Sequence, residues 1–191
     1  MKKLTIAALL LSLPTAASAH PALAVHSHTF LTGLSHPLTG FDHLLAMISV
    51  GLWASQKGGR ALWLWPVAFV AAMIAGGALG MNGFALPLGE PAIAASLLML
   101  GLLIAAMAIL PAGVGAAMIA VFGLFHGNAH GLEAPGIGIS LLFGLGFVLS
   151  TATLHVAGLT LGLVAQDGRR QALVRTGAWL IAVTGAALLL T

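Results

Sequence analysis

Six apolar runs separated by short polar breaks decide what this chain can fold into. They fall at about 36–55, 61–80, 91–110, 113–131, 137–165 and 171–190. A helix needs roughly 20 apolar residues to cross the hydrocarbon core of a bilayer. Only 6% of the 191 residues are charged, against about 25% in a soluble domain, and the mean hydropathy is +1.09. The expected fold class is an all-α integral membrane protein with six transmembrane helices over 36–191. Pro91 opens the third run, where its missing N–H costs nothing. Pro111-Ala112-Gly113 and Ala134-Pro135-Gly136 punctuate the runs on either side of the fourth.

Residues 1–19 have the layout of a signal peptide: Lys2-Lys3, the apolar stretch Thr5 to Leu13, then Ala17-Ser18-Ala19 as an A-x-A cleavage site. An uncleaved first helix is the alternative. Cleavage leaves His20 as the mature N-terminus on the periplasmic side of a bacterial cytoplasmic (inner) membrane. Residues 20–35 then form a leader containing His20, His26 and His28. His20 with its free α-amine has the chemistry to chelate a cation, or the leader simply lies at the interface. The loops at 57–60 and 165–175 hold Lys57, Arg60, Arg169, Arg170 and Arg175, every basic residue after Lys3. This charge bias assigns both loops to the cytoplasm.

On that topology the remaining polar groups gather at one face. His36, Asp42 and His43 lie at the outer end of the first span, Glu90 at that of the third, and His126, His130 and Glu133 at that of the fourth. Ionisable groups inside a membrane are costly and mark functional sites. The plainer reading, in which Asp42 or Thr39 caps a helix, leaves this convergence unexplained. His126 and His130 are four residues apart and Glu133 three further on, so all three share one helical face. His36 and His43 are seven apart, two turns of one helix, and Asp42 is placed to hold a neighbouring imidazole. Cysteine is absent, which leaves imidazole and carboxylate as ligands and methionine as a softer extra. Met47, one turn from His43, stays open as an accessory ligand, while Met73, Met99, Met107 and Met118 read as packing. His155 falls 24–27 Å below the outer end of the fifth span at ~1.5 Å per residue. It is either a station on an inward path or a histidine donating to a neighbouring carbonyl. The glycines at Gly76-Gly77 and at Gly144 and Gly146 suit close helix packing, and Trp53, Trp63 and Trp65 read as interface anchors.

His36-Pro37-x-x-Gly40-x-Asp42-His43, with Met47 and Val50-Gly51-x-Trp53-Ala54, resembles the signature of the HupE/UreJ family of nickel/cobalt permeases associated with hydrogenase and urease maturation. Phe125-His126-Gly127-x-Ala129-His130-Gly131-x-Glu133 resembles that family's second conserved segment, and His155-x-x-Gly158 is similar to a third. Ser49 stands where a small apolar residue is expected, and His20, His26 and His28 match no family element. The resemblance implies carriage of Ni²⁺ or Co²⁺ into the cytoplasm, with His36, Asp42, His43, His126 and Glu133 needed for it. The ion is then cargo, with no permanently bound cofactor. The expected partners are a divalent transition-metal ion and membrane lipid, with no nucleic acid and no nucleotide; a homo-oligomer is left open. The chain is not expected to be an enzyme. The competing classes are a membrane metalloenzyme using the same ligands and a metal or pH sensor, for which the loops are too short to supply a partner-facing domain.

Overall fold

The computed structural model describes residues 29–133 and 137–191, with side chains from 141 onward in the second stretch. The expected signal peptide, His20, His26, His28 and the Ala134-Pro135-Gly136 breaker lie outside the described residues. Among those described there are seven α-helices and no strand: α1 (Phe30–Thr39), α2 (Phe41–Lys57), α3 (Ala61–Met81), α4 (Gly89–Ala105), α5 (Ala112–Glu133), α6 (Ile137–Val164) and α7 (Gly168–Leu188). Four of them (α3, α5, α6 over Leu141–Val164, and α7) are long and apolar enough to cross a membrane. The helices α2 and α4, at 17 residues each, reach only about 25 Å at 1.5 Å per residue. Length and composition therefore mark four of the six expected spans. The outer surface is apolar: Trp63, Val67 and Ile74 on one side of α3, and Leu173, Leu180 and Val183 on α7, are all more than half exposed. Such stripes suit lipid, not water.

The first run is not one helix. Residues 30–35, assigned from the sequence to a leader, form the first turns of α1, which starts at a capping box: Thr29 Oγ1 accepts from Thr32 N at 3.2 Å and Thr32 Oγ1 from Thr29 N at 2.8 Å. The chain leaves helical geometry at Gly40 (φ −83°, ψ 109°) and re-enters it at Phe41. His36 and His43 consequently sit on two helices, not two turns apart on one.

The third run also ends early, at Ala105, where Met107 turns the chain at φ 55°. Side chains from other helices take up the carbonyls exposed there. Arg175 Nε donates to Ala105 O at 2.9 Å, Gln56 Nε2 to Ile104 O at 3.2 Å, and Trp53 Nε1 to Ala108 O at 2.9 Å. This corrects the reading of two tryptophans as lipid anchors. Trp53 and Trp65 are fully buried, with ring centroids 4.2 Å apart, and Trp65 Nε1 donates to Ala112 O at 2.8 Å. Trp63 alone of the three is exposed.

Helix pairs meet backbone to backbone through glycine. A Cβ at Gly123, Gly127 or Gly131 of α5 would strike the carbonyl oxygens of Phe69, Met73 or Gly77 on α3. Gly51 of α2 faces the His155 carbonyl on α6, and Gly158 of α6 faces Ile48 of α2. Gly33 of α1 lies on Phe143 of α6, and Gly101 of α4 on Ala178 and Ala182 of α7. Small residues replace the missing hydrophobic drive between helices in lipid by close van der Waals contact. The result is three tight pairs, α3 with α5, α2 with α6 and α4 with α7, with α1 laid along the first half of α6.

Candidate metal centre

The junction of α1 with α2 sets up the first half of the site. Asp42, in the first turn of α2, is favourably placed at the positive end of the helix. Its Oδ1 accepts from His43 N at 2.8 Å and stands 2.8 Å from His43 Nδ1. A Cβ on Gly40 would press to 3.2 Å from that ring nitrogen, so the glycine leaves the pair its room. With Nδ1–H given to the carboxylate, the lone pair of His43 is on Nε2.

The second half comes from α5, held against α3 by the glycines that flank its histidines. His126 is fully buried, and its Nδ1 donates to Phe122 O at 2.8 Å, leaving Nε2 without a hydrogen-bond partner among the described residues. His130 Nδ1 lies 3.4 Å from Glu133 Oε2, and its Nε2 lies 2.7 Å from Nε2 of His43. Ring centroids are 4.6 Å apart for His43 and His130, 5.2 Å for His43 and His126, and 4.6 Å for His36 and His130. His36 and His43 are 6.3 Å apart, edge to face. Ligand atoms of His36, His130 and Glu133 all lie within 4.8 Å of one another. Phe143 and Phe147 of α6 close the apolar side of the cluster, 5.7 and 5.8 Å from His36.

Three imidazoles thus have Nδ1 engaged by a carboxylate or a carbonyl, and the Nε2 atoms of His43 and His130 face one another. Partners of this kind fix the tautomer and raise ligand basicity in metal sites. Around an ion with bonds of ~2.1 Å, neighbouring ligand nitrogens stand ~3–3.4 Å apart. Opening the 2.7 Å gap between His43 and His130 by a few tenths of an ångström admits a cation in place of the shared proton.

The structure brings together His36, Asp42, His43, His126, His130 and Glu133. It does not bring in the other candidates. Glu90 is exposed in the first turn of α4, with no hydrogen bond or ion pair to a histidine among the described residues. Met47 is fully buried in the apolar core with Val50 and Trp53. His155 sits below the cluster, yet nearer than its distance from the end of the span implies. The cluster reaches down α6 to Phe147, 4.8 Å from His130, and eight residues of helix, about 12 Å, then separate Phe147 from His155.

Two residues passed over in the sequence position the site. Phe69 of α3 packs against both His126 and His155, with centroids at 5.4 and 5.1 Å; one phenylalanine in an apolar run carried no signal. Asn128, 2% exposed, accepts from Leu86 N at 2.9 Å and donates to Phe84 O at 2.8 Å and Gly76 O at 3.3 Å. It ties the α3–α4 loop to α5 between the two histidines, and its signal was legible: an amide alone in a membrane-length apolar run. Asn128→Ala leaves a buried carbonyl and a loop N–H unpaired. It should cost about 1–3 kcal/mol, read as a lower thermal midpoint of the purified chain in detergent.

The architecture and the site define a helical membrane protein with a partly buried histidine–carboxylate cluster at one end of its bundle. Residues 7–188 match the family described as HupE / UreJ protein, and the chain belongs to that family. It is similar to Protein HupE of Rhizobium leguminosarum bv. viciae, with 43% identity over 187 residues, 98% of this chain and 97% of the relative. No solved structure matches.

Proposed function

We propose that this protein is a secondary permease that takes Ni²⁺ or Co²⁺ from the periplasm into the cytoplasm and so supplies metalloenzyme maturation. The observation that carries it is the opposed pair His43 and His130. Each ring is backed by a carboxylate, and the Nε2 atoms are turned to one another. Imidazole with carboxylate suits borderline divalent ions. The donors come from three helices (α1, α2 and α5) that are separable, as release of the ion demands, and a closed cage would not allow that. In this reading residues 1–19 are a cleaved signal peptide. The short helices α2 and α4 complete six spans in the inner membrane, with the basic loops cytoplasmic. The ion is cargo and no residue is assigned to catalysis.

The test is uptake of labelled Ni²⁺ and Co²⁺ by cells carrying the wild-type chain, His36→Ala or His126→Ala at matched membrane levels. Saturable uptake in the wild type and a loss of at least tenfold in both variants is the expected result. Absence of uptake in the wild type, or its survival in both variants, leaves the histidines to a static metal site or to packing.

A further inference from the structure

The path inward from the cluster is built of unusual parts. His155 is 1% exposed, and neither of its ring nitrogens has a hydrogen-bond partner among the described residues. Orphaned buried imidazoles call for an explanation, because each nitrogen loses its hydration with nothing in return. Side chains on a helix lean toward its N-terminus. His126 on α5 therefore leans toward the basic end and His155 on α6 toward the histidine end, and both rings meet Phe69. One turn along from His155 and Phe69, Thr151 Oγ1 lies 3.8 Å from Met73 Sδ. Two imidazoles, with three nitrogens unpaired among the described residues, thus pack on one aromatic ring, with a thioether and a hydroxyl in contact one turn away. Seven residues further along α6, about 10 Å, a polar cavity of ≈ 160 Å³ opens at the basic end, lined by Ser55, Gln56, Met107, Gly162, Gln166 and Gln171. Gln56 Oε1 there is buried and also has no hydrogen-bond partner among the described residues.

We propose that His155, with His126 Nε2 and the Met73 thioether, forms a second, inner station for a borderline divalent transition-metal ion, beside the Phe69 ring that both imidazoles touch, and discharging toward the cavity at Gln56. The station rests on the permease reading and deepens it. His126 links the two stations: its Nε2 has no hydrogen-bond partner among the described residues, while its ring lies against both His43 and Phe69. Displacement of the Phe69 ring lets the ion change partners from His43 and His130 to His155 without ever meeting bare hydrocarbon. Met73, a packing residue by its sequence alone, supplies a soft donor that hard ions such as Mg²⁺ do not use.

Because His155 has no hydrogen-bond partner among the described residues to lose, His155→Leu should leave the fold intact, and the test uses it. The full-length chain in detergent is titrated with Co²⁺, read by visible absorption, and the same preparations are reconstituted into vesicles for labelled Ni²⁺ uptake. The wild type should bind two Co²⁺ per chain. His155→Leu should bind one, at an affinity within twofold of the outer site, with uptake lowered at least tenfold. Met73→Leu should keep both ions but weaken the inner one three- to tenfold. Wild-type stoichiometry and uptake in His155→Leu overturns the inner station and leaves the permease reading standing. Should His155→Leu lose both ions through misfolding, Met73→Leu decides, and unchanged inner affinity and uptake there overturn the station. A wild-type chain that neither binds nor transports overturns both.

Discussion

His43→Ala should lower saturable ion uptake at least a hundredfold, the largest loss expected from any single ligand. His43 is the hub of the cluster: its ring contacts those of His36, His126 and His130, and it is held by Asp42 through both its backbone N–H and Nδ1. Removing it takes away one donor and the orientation of its neighbour at 2.7 Å. Asp42→Asn is the graded companion. The amide oxygen still accepts a hydrogen bond, but the charge that raises the basicity of the ring is gone, and a loss of 10- to 100-fold is expected for such a supporting partner. Initial rates at matched membrane levels check both. Equal losses in the two variants would mean that Asp42 acts as a ligand itself and does not merely orient His43.

Gly127→Val should prevent assembly. Its Cβ would overlap the carbonyl oxygen of Met73, and neither of two packed backbones can yield without parting α3 from α5. That exceeds the ~4–5 kcal/mol beyond which single substitutions are exceptional, so the chain should not be recovered as a monodisperse species in detergent. Gly144→Val provides the contrast. Nothing lies within 4 Å of a Cβ at that position, and the change should fall within ~0.5 kcal/mol of neutral, as for surface sites. Thermal unfolding monitored by size-exclusion chromatography measures both. Similar behaviour of the two variants would show that helix propensity, not close approach, sets the cost.

The residues of the candidate cluster were readable from sequence because their chemistry is rare in its setting. Histidines and carboxylates in a chain that is 6% charged stand out, and the distribution of Lys and Arg was enough to sort them to one end. The break at Gly40 was not readable. Glycine inside an apolar run is common in membrane helices, and only the packing of α1 on α6, through Gly33 and Gly146, shows that the chain must turn there. The same limit applies to Trp53 and Trp65. An indole near a span end suits an interface equally well as a buried carbonyl partner, and only tertiary contact separates the two. Among the glycines read as packing residues, Gly76 and Gly146 press on neighbouring backbone while Gly144 faces open space. Helical phase decides this, and an apolar run that is apolar all round carries no phase information. Glu90 shared the expected end of the bundle, yet sequence gives depth along a helix and not the direction its side chain takes.

The glycine-seamed pairs also dictate an order of synthesis. Each joins helices that are not neighbours in the chain: α2 waits for α6, α3 for α5, and α4 for α7. As spans leave the ribosome and insert one by one, none of the first three helices meets its tight partner until α5 has entered. His43 on α2 then remains without its packing partner until α6 follows. The cluster therefore cannot close in a half-made chain: the histidines of α1 and α2 gain their packing against α6 only after α5 has been made.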